Sequence, residues 1–362
     1  MDRQERLNHF KQVIEQTKGE EIGVIITQID PDALASAFGL AYLINAIRTP
    51  ENELQIYYCG EVGHPQNRTI INKYDLKRRM RSIEEFSPET RYTALVDSSS
   101  IHDGRIPGDH DLVPIIVIDH HRESALPERD DAFYWIEDVG SASTLVAELL
   151  EGLGVEFSGE STFISTLLAM GVYTDTKALV SGSARDRHAY GYATKATSAV
   201  EFAQLIEYPF PESHYDNLEK ALRRRKRVGS RLITNIGKAT ADNRDDISSI
   251  ADYLLRMEGI SLVVVWAIIG DDVRISARST DLSTPLAEFM REKFGPDSGA
   301  KLDPAGRGEG GALIDLDLGF WMSDANQDIV EKMVEQRLEQ IMFGGEKFPV
   351  QEVEEQEKDG DL

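Results

Sequence analysis

The sequence predicts an α/β protein: a mostly parallel sheet with helices on both faces, a helical connector, and a smaller C-terminal α/β domain facing the first across a cleft. Three observations carry this. The 362 residues exceed the roughly 150 of an average domain. Over residues 1–185, short β-rich apolar runs alternate with stretches of helical periodicity. After a charged helical stretch, the same alternation restarts near residue 232.

Residues 4–16 read as a polar helix and 22–26 as an apolar strand, after which Leu34, Ala37, Phe38, Ala41, Tyr42 and Ile44 recur at helical spacing. Further strands are expected at 54–58, 92–96 and 113–118, with helices at 142–150 and 162–170. Apolar runs without polar alternation belong to strands covered on both sides, hence to a parallel sheet. The span 186–231, containing Arg223-Arg224-Arg225-Lys226-Arg227, reads as the connector. Within 232–346 the pattern predicts a helix at 247–257, a strand at 261–269, a turn at Gly270-Asp271-Asp272 and a strand at 273–277. A helix at 285–293, a glycine-rich loop at 306–311 and a strand at 312–318 complete that domain. Residues 347–362 are acidic and poor in apolar side chains, and are expected to be a disordered tail.

Lys and Arg number 39 against 63 Asp and Glu, a formal net charge of -24. Such a surface repels duplex nucleic acid and anionic lipid, so an anionic substrate needs a local positive device. The single Cys59 cannot form an internal disulfide and is expected as a buried small hydrophobe in a reducing compartment. No stretch approaches the roughly 20 apolar residues of a spanning helix, and the polar opening 1–6 lacks the apolar core of a signal peptide. A cytoplasmic protein without a membrane partner is expected. Trp135, Trp266 and Trp321 show no stacking pattern and are expected to pack.

The acids fall where strands end. The first strand leads to Asp30-Pro31-Asp32, the strand at 92–96 runs into Asp97, and that at 113–118 into Asp119-His120-His121. Ligands of open parallel sheets bind beyond the carboxyl ends of the strands, so these groups are expected to converge. Carboxylates that close raise one another's pKa unless a cation intervenes. Asp with imidazole suits Mn2+, or Mg2+ and Fe2+, better than thiolate-bound zinc. Two ions about 3.5–4 Å apart would share a hydroxide and clamp the attacking and leaving oxygens of a phosphoryl group. Asp175, after the helix at 162–170, could close the cluster.

The stretches Asp30-Pro31-Asp32-Ala33-Leu34-Ala35-Ser36, Leu95-Val96-Asp97, Ile118-Asp119-His120-His121 and Gly171-Val172-Tyr173-Thr174-Asp175-Thr176 stand in a particular order and spacing. In this the sequence resembles the DHH phosphoesterase superfamily with its four motifs. The spans 60–68 and 138–144 look like segments of its two-domain branch, which includes nano-RNases and phosphoadenosine phosphate phosphatases. The resemblance implies that Asp97 bridges two Mn2+ ions, with Asp32, His120 and Asp175 completing one site and Asp30 serving the other. It implies that Asp119 orients the imidazoles and that His121 holds the phosphate or helps the leaving group.

Further along, Arg274-Ile275-Ser276-Ala277-Arg278-Ser279 resembles the family's Arg-Ser strand, and 306–311 its glycine-rich substrate loop. Arg278, Ser279, Gly306, Arg307, Gly308, Gly310 and Gly311 would then hold a distal phosphate. The same glycines spell a G-x-G-x-x-G pattern, but a strand rather than a helix is expected to follow, against a dinucleotide fingerprint. Two departures stand out: Ile26, Thr27, Gln28 and Ile29 include no His where the family has one, and Glu309 takes the place of a phosphate-binding His.

The implied activity is hydrolysis of short oligonucleotides or small phosphorylated nucleotides by metal-activated water. The alternatives are an impaired nucleotide-binding or regulatory protein and a pyrophosphate or polyphosphate hydrolase. A homodimer through an exposed sheet edge stays open. Asn67 and Arg68 read either as loop contacts near the site or as a turn or cap. Ser141, Ser143 and Thr144 read as phosphate contacts or as an N-cap, the latter favoured by the helix that follows. The run 223–227 is either a guide for a nucleotide chain or a neutralised solvated face. His64, His102, His110 and His188 have no ligand-like spacing and are expected to be structural or surface residues.

Overall fold

The computed structural model describes residues 2–48, 54–87, 90, 92–100, 104–106, 112, 114–121, 129–302, 306–316 and 326–344. His102, His110, Trp321 and the tail 347–362 lie outside them. The chain forms two compact units, Met1–Pro209 and Phe210–Leu362.

Unit 1 begins with α1 (Arg3–Gln16), β1 (Ile22–Ile26), α2 (Pro31–Ile47), β2 (Leu54–Tyr58) and α3 (Pro65–Lys73). The strands β3 (Met80–Ser82), β4 (Tyr92–Val96), β5 (Pro114–Asp119) and β6 (Phe133–Ile136) follow. Helices α4 (Ala142–Gly152), α5 (Thr162–Asp175), α6 (Ala184–Ala193) and α7 (Ala199–Ile206) complete it. The six strands are ordered β3-β2-β1-β4-β5-β6 and all pair in parallel. Every residue of β1 and β5 is buried, as the unbroken apolar runs require of a sheet covered on both faces.

Val24, Ile26, Ala94, Val96, Ile116 and Ile118 face a large apolar cluster built with the helices, while Ile25, Leu95 and Val117 face a smaller one containing Tyr57, Cys59 and Phe86. Cys59 is thus buried and outside any disulfide. Because β1 lies between β2 and β4, the chain leaves it in one direction and returns on the other side. The carboxyl ends of β1 and β4 therefore form the switch point where open α/β sheets bind ligands.

Unit 2 contains α8 (Glu212–Arg224), β7 (Lys226–Val228), β8 (Arg231–Ala239), α9 (Asp246–Leu254), β9 (Leu262–Ile269) and β10 (Asp272–Ser279). It ends with α10 (Leu286–Phe294), β11 (Gly299–Leu302), β12 (Gly308–Asp315) and α11 (Gln327–Phe343). The sheet order is β11-β12-β10-β9-β8-β7, with only β8 and β9 parallel. Val264, Trp266, Val273 and Ile275 pack on one face with α10 and α11; Val263 and Val265 pack on the other with α8 and α9.

Two expectations change here. The span 186–231 is not a continuous helical connector: α6 and α7 belong to unit 1, while α8, β7 and the start of β8 belong to unit 2. Its basic run meets acids of α11. Arg224 bonds Glu331 at 2.5 Å, and Lys226 reaches Glu335 at 3.4 Å and also Glu339, so the neutralised-face reading describes these groups. The second change is at 306–311, where Gly308, Glu309, Gly310 and Gly311 form a strand between β10 and β11 instead of a loop. A Cβ at Gly308 would stand 2.8 Å from Leu286 Cδ2, and one at Gly310 would stand 3.0 Å from Met290 Cγ. These two glycines let α10 pack tightly on β12.

Candidate functional site

The end of β1 runs into Asp30, which caps α2 by accepting from the Ala33 amide at 2.9 Å, with Pro31 in the first helical turn. Asp32 follows on the first turn, completely buried. At the end of β4, Asp97 takes φ 53°, a left-handed conformation that costs a residue with a Cβ about 1–2 kcal/mol. Its amide still donates to the Ile118 carbonyl at 3.0 Å, which holds it against β5. Asp119 is the last residue of β5, and His120 and His121 stand immediately beyond it.

These elements converge on the His120 ring. Its Nδ1 lies 3.3 Å from the Val139 carbonyl, which can only accept, so Nδ1 carries a proton and Nε2 is the ring nitrogen turned toward the acids. His120 Nε2 is buried and makes no hydrogen bond; the nearest carboxylate oxygens belong to Asp97 at 3.3 Å, Asp175 at 3.7 Å and Asp32 at 3.9 Å. Two sets of ligand atoms each lie within 4.8 Å of one another: Asp97 with His120 and His121, and Asp32 with His120 and Asp175.

A buried carboxylate is tolerated only with hydrogen bonds, and Asp32 finds them at the N-terminus of α4. Its two oxygens accept from the amides of Ala142 at 2.7 Å and Ser143 at 2.8 Å. A Cβ at Gly171 would stand 2.2 Å from Ser143 Oγ and 3.0 Å from Asp32 Oδ1, so glycine there is what lets α5 approach and bring Asp175 in. Asp119 accepts from the His120 amide at 2.8 Å and from His121 Nδ1 at 2.7 Å.

The carboxyls titrate in opposite directions. Burial, followed by the charge of Asp32, pushes Asp30 from 3.8 up to about 6. Burial and then the charges of Asp32, Asp30 and Asp97 raise Asp175 well above its ordinary value. Burial also works to raise Asp119, but the hydrogen bond and charge of His121, with a bond from Ser99, outweigh it and hold Asp119 below the ordinary value.

The structure thus gathers Asp32, Asp97, His120, His121 and Asp175, with Asp119 behind the imidazoles and Asp30 acting on Asp175 through its charge. Asn67 is buried and ties α3 to the Ile29 carbonyl at 2.7 Å, while Arg68 continues α3. Ser141 caps α4, accepting from the Thr144 amide at 3.1 Å. His64 caps α3, and His188 bonds Glu151. Gln28 accepts from Arg105 at 2.6 Å, which puts a guanidinium beside the span that lacks a His. Sequence reasoning missed this Arg, the Val139 carbonyl and the α4 amides. The Ser141-Ala142-Ser143-Thr144 cap was the only signal for the last.

In unit 2 several residues expected to bind phosphate have structural partners. Arg278 bonds Asp252 at 2.7 Å, and Ser279 accepts from the Asp281 amide at 3.0 Å. Glu309 lies opposite Arg278 on one side and Lys301 on the other. Gly306, at φ 78°, and Arg307 precede β12. A cavity of about 400 Å³ on the same face of β10 is lined by Arg244, Ser248, Arg274, Ser276 and Gly311 among others, and the Arg274 Nε atom is buried without a hydrogen bond.

A parallel α/β sheet with acids and imidazole gathered at its switch point defines an α/β domain with a candidate metal site. Residues 22–173 match the model of the DHH family, N-terminal domain. The uncharacterized protein MJ1633 of Methanocaldococcus jannaschii is 28% identical over 322 residues, which are 87% of this chain and 62% of that protein. The chain therefore spans less than two thirds of the length of that relative. A probable manganese-dependent inorganic pyrophosphatase of Streptococcus agalactiae serotype Ia is 24% identical over 248 residues, 66% of this chain and 75% of that one. The crystal structure of an exopolyphosphatase-related protein from Bacteroides fragilis shares the fold, with a TM-score of 0.67 at 16% identity, covering 95% of this chain and 98% of that one. No helix among the described residues is long and apolar enough to cross a membrane.

Proposed function

We propose that this chain is a divalent-metal-dependent phosphohydrolase acting on small phosphorylated nucleotides or short oligonucleotides. The observation that carries the reading is His120 Nε2, buried, without a hydrogen bond, and faced by three carboxylates between 3.3 and 3.9 Å away. Like charges gathered around a buried imidazole nitrogen are reconciled by a hard cation such as Mn2+ or Mg2+. Asp32, Asp97, His120 and Asp175 would hold one ion, and Asp97 with Asp30 a second. Bound there, the metal supplies a hydroxide at neutral pH and a positive field for phosphoryl oxygens.

The protein's own groups do the rest. Asp119 fixes both histidines through the His120 amide and His121 Nδ1. His121, 56% exposed, can hold a phosphoryl oxygen or give a proton to the leaving one. In unit 2, Arg244 and Arg274 would receive a further phosphate in the cavity they line, with Arg278 on the same face. A chain with a net charge of -24 recruits such a substrate through these local groups and does not hold duplex nucleic acid. Pyrophosphate or polyphosphate is the second reading, favoured by the likeness to a probable manganese-dependent inorganic pyrophosphatase.

The test is turnover of dinucleotides, 3′-phosphoadenosine 5′-phosphate, pyrophosphate and polyphosphate with Mn2+ or Mg2+. The expected result is metal-dependent hydrolysis that Asp97→Asn abolishes with the fold retained. No turnover of any of them with either ion, or unchanged turnover in the variant, contradicts the reading.

A further inference from the structure

Asp186, on the first turn of α6 and completely buried, has no part in the chemistry above. Its Oδ2 accepts from the Ser183 amide at 2.6 Å, which is the local capping bond. Its Oδ1 does something a cap does not need. It accepts from the Gly140 amide at 2.9 Å and the Thr144 hydroxyl at 2.7 Å, both more than forty positions away.

The segment so anchored sets the direction of two candidate ligands. The Val139 carbonyl meets His120 Nδ1, and the amides of Ala142 and Ser143 meet the two oxygens of Asp32. It is also wedged: a Cβ at Gly140 would stand 2.5 Å from Thr176 Cγ2 and 2.8 Å from the Asp186 carboxyl carbon. Thr176 directly follows Asp175, so the same contact backs a third candidate ligand.

We propose that Asp186 is a positioning residue for the metal centre: by anchoring Gly140 and Thr144 it fixes Asp32 and His120 and so sets the affinity for a divalent cation that it does not touch. The inference rests on the metal-centre reading. Groups that orient metal ligands from behind govern affinity by about 10–100-fold.

The experiment is calorimetric titration of the full chain with MnCl2, which reads binding and not turnover. Asp186→Asn is expected to weaken Mn2+ binding about tenfold or more with the circular dichroism spectrum kept. Thr144→Val, a milder change, is expected to weaken it measurably, and Thr144→Ser, which keeps the hydroxyl, to restore it. Ser183→Ala weakens the cap but leaves the bonds from Gly140 and Thr144 to Asp186 in place, and is expected to lower the melting temperature while leaving Mn2+ affinity within about twofold. Wild-type affinity in Thr144→Val, or in a folded Asp186→Asn, overturns the positioning role. A wild-type chain that takes up no Mn2+ overturns the metal-centre reading itself, and the role of Asp186 with it.

Discussion

Replacing Asp30 by Asn separates what this site does for function from what it does for stability. Asp30 is pushed from 3.8 to about 6, so the folded protein binds its proton more tightly than the unfolded chain does. The stabilisation this gives is complete below pH 3.8 and is lost as the pH rises through about 6. At pH 7.5 the metal-free protein therefore carries an ionised, half-buried carboxylate beside Asp32, at a cost of roughly 3 kcal/mol for a rise from 3.8 to about 6. Asn caps a helix as well as Asp does, so the bond to the Ala33 amide survives the change. Asp30→Asn is expected to raise the melting temperature of unit 1 in chelator at pH 7.5 by up to about 6–12 °C, with the difference vanishing near pH 3.5. With saturating Mn2+ the order reverses, because the wild type gains more from the ion. Differential scanning calorimetry at the two pH values, with chelator and with Mn2+, reads all four states. A variant that melts at or below the wild type in chelator at pH 7.5 would refute the reasoning.

Three further outcomes follow from the same geometry. Asp119 is held below the ordinary carboxylate range, so its contribution to stability is present at neutral pH and disappears as the pH falls through its folded value. Asp119→Asn should cost about 1.5–3 kcal/mol in urea unfolding at pH 7 and lower turnover more than tenfold while Mn2+ uptake persists; full turnover would show that His121 needs no partner. Gly308→Ala places a Cβ 2.8 Å from Leu286 Cδ2 and should destabilise unit 2 by about 1–3 kcal/mol without changing Mn2+ affinity, a split visible by combining calorimetric unfolding with metal titration. Arg274→Ala should raise KM for phosphorylated substrates about tenfold at nearly constant kcat, and an unaltered KM would remove the unit 2 cavity from substrate binding.

The sheet and most of the candidate ligands were legible because their signals are local. Apolar runs that end in Asp30, Asp97 and Asp119 name both the strand and the edge it points to, and an open parallel sheet brings such edges together. What was not legible depends on tertiary partners. Asp32 is held by amides of α4 from far along the chain, and any residue type supplies an amide. Gly308 to Gly311 have no strand propensity of their own; they form one because β10 and β11 lie on either side and α10 needs the space. The short β7 is an exposed, basic strand whose pairing with β8 leaves no apolar pattern. The charges of Arg224 and Lys226 could be assigned only once α11 was seen to bring Glu331, Glu335 and Glu339 to them.

The most direct test of the central claim is X-ray diffraction from crystals grown with MnCl2, recorded at the manganese absorption edge. The account predicts anomalous density bonded to His120 Nε2 and to the carboxylates of Asp97, Asp32 and Asp175. Crystals saturated with Mn2+ that show no density there, or show it only on surface acids with the His120 ring left unligated, would contradict it.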